Sequence, residues 1–307
     1  MRIYNGGTPD EQVVATAQKL TVYDSVDRGR ILDGVRVTAN NISSVGADGP
    51  DERAVQASTW YDIYVIFNPT TSDIAGLLTE AVRTGTADAD VANTLDDTGE
   101  DFTASPIIQV GDIVHNTTDN TWGQVGTVAP GSDNSQLSIV DEESNNLDLF
   151  PDGNETFKIL RQPTLPSGYT FSRYVGSILT DGSSDFIIVK QINNHAVIAN
   201  TVYGSPTDTS FAVRDLSSIV PPRAVKVQGT NKITRTTGTN TGIANISSTI
   251  SGLAETWFFH EGVTSGSGRQ LDTQFDMFII EPQRIYSKVS AAGVTQTISI
   301  SGWDVEF

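Results

Sequence analysis

The sequence predicts an all-β protein: an antiparallel β-sandwich of jelly-roll-like type, interrupted by a small inserted β-barrel-like module. Three observations lead there. Hydrophobic residues make up 37% and charged residues 18% of the 307, and the deficit is filled by turn-forming Gly, Ser, Thr, Asn and Asp. Short runs of β-branched and aromatic residues recur between turn signals, with no regular alternation of strand and long helix. One quarter of the chain also has a charge balance unlike the rest.

Residues 1–20 are set apart as an N-terminal docking arm, because a free terminus frays unless another surface holds it. Residues 10–19 and 72–82 are the only stretches that look helical. The first part of the sandwich is placed at residues 21–83, with a strand at 30–37 and the strongest strand of all at Trp60-Tyr-Asp-Ile-Tyr-Val-Ile-Phe67. Apolar residues of both parities in that run predict a central strand covered on both faces.

Residues 84–157 contain fifteen acids and no Lys or Arg, whereas acids and bases nearly balance elsewhere. A break this sharp reads as an inserted module. Inside it, Val110-Gly-Asp-Ile-Val-His115 and Thr121-Trp-Gly-Gln-Val125 flank the turn-forming Asn116-Thr-Thr-Asp-Asn120 as a hairpin requires. Further strands are expected at 136–140 and 156–160, around a core of Ile113, Trp122, Val125, Leu137 and Phe157, with the acids as solvated skin.

The remainder of the sandwich is placed at residues 158–307. An antiparallel hairpin is expected from 169–179 and 185–191 across Asp181-Gly182, beside the Trp60 strand. More strands are expected at 210–213, 223–227, 242–250, 275–280, 285–290 and 295–301, the last two joined through Ala291-Ala-Gly293. Residues 230–240 and 262–268 read as polar loops.

The chain offers little chemistry. It has no Cys, which excludes thiol catalysis and Cys-based zinc sites. Its net charge of −18 repels phosphate, so nucleic acid is not an expected partner. No window is apolar enough to insert in a membrane, and the first residues lack the apolar stretch of a secretory signal. His115, His195 and His260 lie in unrelated segments without zinc-binding spacing. Thr264-Ser-Gly-Ser-Gly268 is a flexible loop more economically than a nucleophile site. The carboxylate pairs Asp181 with Asp185 and Asp272 with Asp276 would be the minimum for a glycan-cleaving enzyme, but both sit at turn or strand-end positions where Asp is common. The chain is expected to be no enzyme and to need no cofactor.

Two binding candidates stand out. Asp96, Asp97, Glu100 and Asp101 put four carboxylates around a Gly turn, a set that could take calcium through oxygen ligands, although it lacks the EF-hand order. Trp257, Phe258, Phe259 and His260 form the most concentrated aromatic group, a glycan or partner contact if exposed and core if not. Trp60, Trp122 and Trp303 sit in or beside strands and are expected in core or interface.

Several strings carry a resemblance. These are Ser58-Thr-Trp-Tyr-Asp-Ile-Tyr-Val-Ile66, Leu77-Leu78, Pro163-Thr-Leu-Pro-Ser-Gly-Tyr169 and Thr180-Asp-Gly182, with a closing pair Ile285-Tyr-Ser-Lys-Val289 and Thr297-Ile-Ser-Ile-Ser-Gly302. Together they resemble a module of tailed-bacteriophage virion structural proteins of tail-fibre or capsid-decoration type, over most of residues 30–83 and 160–307. The family pattern runs directly from the Leu77-Leu78 region to the Pro163 string. Here the acidic block intervenes, and its Val110 to Asp119 run itself resembles small β modules of other phage structural proteins. The resemblance implies a β-sandwich assembled on the virion surface as a homo-oligomer, trimer or ring, with other virion proteins as partners and host-surface glycan as an alternative ligand. It brings no catalytic residues.

Overall fold

The computed structural model describes residues 1–41, 44–204, 206–235, 242–260, 270–290 and 294–305, and over these it is all-β, built of sheets that are antiparallel except where Gly49–Pro50 pairs in parallel with Leu77 and Leu78. The chain divides into two compact units, residues 1–187 and 188–307. This boundary lies at neither end of the acidic segment.

In the first unit the strands are β1 (Arg2–Asn5), β2 (Gln12–Tyr23), β3 (Gly29–Asn40), β4 (Gly49–Pro50), β5 (Trp60–Phe67) and β6 (Ile74–Glu80). An inserted sheet follows with β7 (Val82–Thr86), β8 (Thr94–Asp96), β9 (Ile113–Asn116), β10 (Thr121–Val128), β11 (Gln136–Val140) and β12 (Thr156–Leu160). The chain then returns through β13 (Phe171–Leu179). The main sheet runs β1-β2-β13-β5-β6-β4, with β3 paired along β2. All eight residues of β5 are buried, as expected of a central strand between β13 and β6.

Neither helical expectation holds. Residues 10–19 fall largely in β2, where Val13, Val14 and Thr16 favour extended backbone and pairing with β1 and β3 satisfies it from both sides. Residues 74–80 form β6, whose Gly76 passes so close to β3 that a Cβ there would lie 3.2 Å from Ala39 and from the Thr38 backbone. Residues 1–20 are no free arm within this unit, since β1 zips onto β2 with Ile3 buried opposite Ala15.

The inserted sheet, in the order β7-β12-β9-β10-β11-β8, curls so that the Asp88 amide donates to the Asp96 carbonyl at 2.7 Å. Its core gathers Leu95, Phe102, Val114, Val125, Leu137, Ile139, Phe150, Phe157 and Ile159. Val125, Leu137 and Phe157 are where the sequence placed them, but Ile113 and Trp122 are 37% and 41% exposed. The register explains this. Pairing of Gly123 with Val114 points Val114 inward, and a Cβ on Gly123 would meet Ile139 at 2.7 Å. Trp122, one residue earlier, therefore lies outside, stacked on His115 with ring centroids 3.9 Å apart.

Where the inserted sheet joins the main one, the fully buried Arg161 donates to Glu52 Oε1 (2.6 Å), the Ile107 carbonyl (3.1 Å) and the Glu80 carbonyl (3.2 Å). Glu52 also accepts from the Ile107 amide and from Thr164 Oγ1. Beside it, Asp51 accepts from the Thr164 amide at 3.1 Å. Burial pushes the Asp51 carboxyl up to about 6, against the opposing pull of Arg161. Folding therefore retains a proton that the unfolded chain releases at lower pH, so Asp51 subtracts stability as pH rises from about 4 to about 6. Asp51→Asn is expected to raise stability relative to the parent by on the order of 2–3 kcal/mol at about pH 7.5 and by little at about pH 4. Thermal melts of both proteins at the two pH values check this, and a gain independent of pH would refute it.

The expected hairpin across Asp181-Gly182 does not form as drawn. β13 pairs along β5, with a bulge beside Gly176, and past the turn only Thr180 and Phe186 make a bridge. The Asp181 carboxylate instead caps its own turn, accepting from the Ser183 and Asp185 amides.

The second unit contains β14 (Lys190–Ile192), β15 (His195–Gly204), β16 (Ala212–Asp215), β17 (Ala224–Arg235), β18 (Gly242–Ser247), β19 (Thr256–His260), β20 (Gln270–Phe278), β21 (Arg284–Val289) and β22 (Val294–Val305). One sheet runs β20-β17-β22-β15-β14 and the other β16-β21-β18-β19. Between them lie Val227, Ile233, Ala244, Ile246, Ile298, Ile300 and Trp303, all buried, which makes this unit a sandwich. The sequence made loop of residues 230–240, yet β17 continues to Arg235 because β20 and β22 both pair with it. The expected closing pair splits: β21 pairs with β16 and β18, β22 with β15 and β17. The expected loop at 262–268 and the Ala291-Ala-Gly293 turn lie outside the described residues.

Candidate interaction site

The four carboxylates considered for calcium serve separate partners. Asp96 accepts from Gln136 Nε2 (3.0 Å) and Ser135 Oγ (3.4 Å). Asp97 accepts from the Gly99 and Thr86 amides, and burial pushes its carboxyl up. Glu100 is paired with Arg83. Asp101 accepts from the Thr103 hydroxyl and amide, which lower its carboxyl. Among the described residues no group of three His, Cys, Asp or Glu is arranged to hold a metal ion.

The remaining titratable candidates are also dispersed. His115 is buried with Nε2 3.0 Å from Asn120 Oδ1, and His195 Nδ1 lies 2.7 Å from Asp304. Asp272 and Asp276 are four residues apart on β20, or about 14 Å at strand rise, too far to flank one glycosidic bond. Asp181 is occupied in its turn, as described above.

The aromatic run divides by strand alternation. Phe258 is buried in the sandwich, while Trp257 is 51% exposed on the outer face of the four-stranded sheet. The side chains of Phe259 and His260 lie outside the described residues. On β18, Asn245 pairs with Trp257 on one side and Lys288 on the other, so indole and ammonium approach over the same central residue. Lys288 Nζ lies 4.0 Å from the Phe211 ring centroid, 5.9 Å from that of Trp257 and 3.1 Å from Glu255 Oε1.

This clamp has a physical logic. A cation over two aromatic faces is attracted by their quadrupoles, and Glu255 fixes its remaining freedom. The indole is thereby held against its edge strand with half its surface open, the state in which a Trp can anchor a partner without first being ordered. The arrangement offers an apolar plate with a cation and a carboxylate at its rim, which suits binding. Sequence reasoning reached Trp257 but missed Phe211, Glu255 and Lys288. Only Glu255 lies near Trp257 in the chain, and no local pattern joins the other two.

No family model matches the chain, and no curated protein matches it.

Proposed function

We propose that this chain is a structural component of a tailed-phage virion, tail- or fibre-associated or capsid-decorating, that acts by protein–protein assembly on the particle surface. The observation that carries the reading is the clamped, half-exposed Trp257 on the four-stranded sheet. On the second unit's other sheet, Ile192, Val197 and Val202 also stand exposed on adjacent strands. Aliphatic side chains held outward in this way suit contact with another subunit. The strings around Trp60 and Tyr169 supply the phage resemblance, and the partners are further copies of the chain and other virion proteins.

Light scattering on the purified chain tests this. A trimer or ring is expected, and Trp257→Ala should weaken self-association about 30-fold, corresponding to loss of an anchor of about 2 kcal/mol. A parent protein that is monomeric at every concentration, with Trp257→Ala indistinguishable from it, would remove the basis for an assembly role.

A further inference from the structure

In the first unit, β2 carries an open edge in the middle of its length. β3 pairs along one side of it from Gln12 to Tyr23. On the other side β1 covers Val13 to Thr16, and β13 touches only Tyr23, through Ser172, before it leaves along β5. Residues 17–22, about 20 Å at strand rise, have no strand on that side among the described residues.

The backbone groups along this gap can be assigned. Near β1, the Gln12 carbonyl points to the β1 side and accepts from the Gly6 amide at 2.8 Å. Toward the hairpin turn the even residues point to β3 instead, since the Asp24 amide donates to the Arg28 carbonyl at 3.3 Å in the same register. The ladder changes sense at the one rung it omits, Gln18 with Gly34, where Gly34 is left-handed at φ +63°. Lys19 and Thr21 therefore aim their amides and carbonyls into the gap, as Tyr23 aims its own toward Ser172. At the kink opens a groove of about 910 Å³ lined by Arg2, Thr16, Gln18, Lys19, Gly34 and Val35. A Cβ on Gly34 would meet nothing within 4 Å.

We propose that this edge takes up an extended acidic segment of a partner protein as an added strand, antiparallel to β2 and in line with β1.

Unpaired strand edges are templates for another chain, and main-chain bonds supply the affinity. Peptide is the matching chemistry, because the carbonyls of Lys19 and Thr21 need donors that a bare anion lacks. Charge selects which peptide. The whole chain carries −18, yet the groove gathers the exposed Arg2, Lys19 and Arg36. Arg2 and Arg36 face Thr16 from either side, and neither forms an ion pair among the described residues. Asp33 lies 3.9 Å from Lys19 with both side chains 76% exposed, a contact too weak to occupy the ammonium. An edge Lys also guards against uncharged strands, and an acid placed opposite Lys19 turns that guard into a cross-strand pair. A second acid two residues further along the added strand would arrive beside Arg2. The site belongs to the first unit and depends neither on Trp257 nor on the assembly reading.

The test is an amide-resolved NMR titration of the full chain with the capped hexapeptide Thr-Val-Thr-Glu-Val-Asp. Its register places Glu opposite Lys19. The Lys19 and Thr21 amides are expected to shift and to gain protection from exchange. Binding should fall about tenfold in Arg2→Glu combined with Lys19→Glu, and as far for the peptide Thr-Val-Thr-Lys-Val-Lys. N-methylation of the peptide's Glu, which keeps the charge but removes a ladder donor, should abolish it. Both substituted residues are exposed, and unaltered β5 amides would show that the fold is retained. Absence of shifts at millimolar acidic peptide would overturn the proposal, as would equal binding of the basic peptide or binding that survives N-methylation. Light scattering covers the other occupant: if the double variant lost self-association while no peptide bound the parent, the edge would belong to a second copy and the proposal would fall.

Discussion

Arg161→Met is expected to destabilise the first unit by about 3–5 kcal/mol, seen as a lower midpoint in urea melts followed by Trp fluorescence. The guanidinium is fully buried and satisfied by one carboxylate and two backbone carbonyls. Removing it leaves Glu52 as a buried charge without its counterion and strands the carbonyls of Glu80 and Ile107. Asp51, already held up toward its protonated form by burial, loses the one cation that opposes this. The loss should be asymmetric. Glu52→Gln combined with Arg161→Met should cost less than Arg161→Met alone, because no unpaired charge then remains. Arg161→Lys should fall between, since an ammonium keeps the charge but lacks the planar fork that reaches three acceptors. A single-variant cost below about 1 kcal/mol would mean that the junction is wet or plastic, and that Arg161 is no keystone.

How much of this was legible in the sequence follows from where the decisive contacts lie along the chain. β5 was legible because a run of aromatic and β-branched residues has few uses other than a strand covered on both faces. The inserted sheet was legible as a composition, because its acids stop at residues that also bound a separate hydrophobic cluster. Its core was only half legible. Ile113 and Val114 are both apolar, so nothing local says which one points inward, and the answer depends on Gly123 making room opposite Ile139. The helical reading of residues 10–19 failed because propensity is a weak prior where strands pair on both sides. The closing pair failed for a topological reason: β21 and β22 are neighbours in sequence but belong to opposite sheets of a sandwich. The candidate interaction surface was legible only in fragments. Trp257 was conspicuous, whereas its clamp comes largely from residues 211 and 288. Asp276 was noticed as half of the wrong pair. Its partner is Lys226, fifty residues earlier.

The separate core of the inserted sheet leads to the second large effect. Phe157 is buried between Phe102 and Phe150, with ring centroids 6.2 and 6.3 Å away in tilted and edge-on geometry. Phe157→Ala should cost about 3–5 kcal/mol, the sum of lost transfer energy and the cavity left in a cluster that strands on every side prevent from collapsing. A sheet of six short strands has little stability to spare, so the loss should appear as local opening. Hydrogen exchange is the measurement. Amides of β9, β10 and β12 should lose most of their protection, while those of β5 and β13 keep theirs, and the exposed Trp122 should lose its stacked contact with His115. That outcome would make the acidic module a separately folding insertion whose junction around Arg161 positions it without being required for the main sheet to form. If protection instead fell equally in β5, the two sheets would form one cooperative unit. Replacing residues 84–157 with a linker would then unfold the first unit, because Glu52 and Arg161 would both lose the Ile107 backbone as a partner.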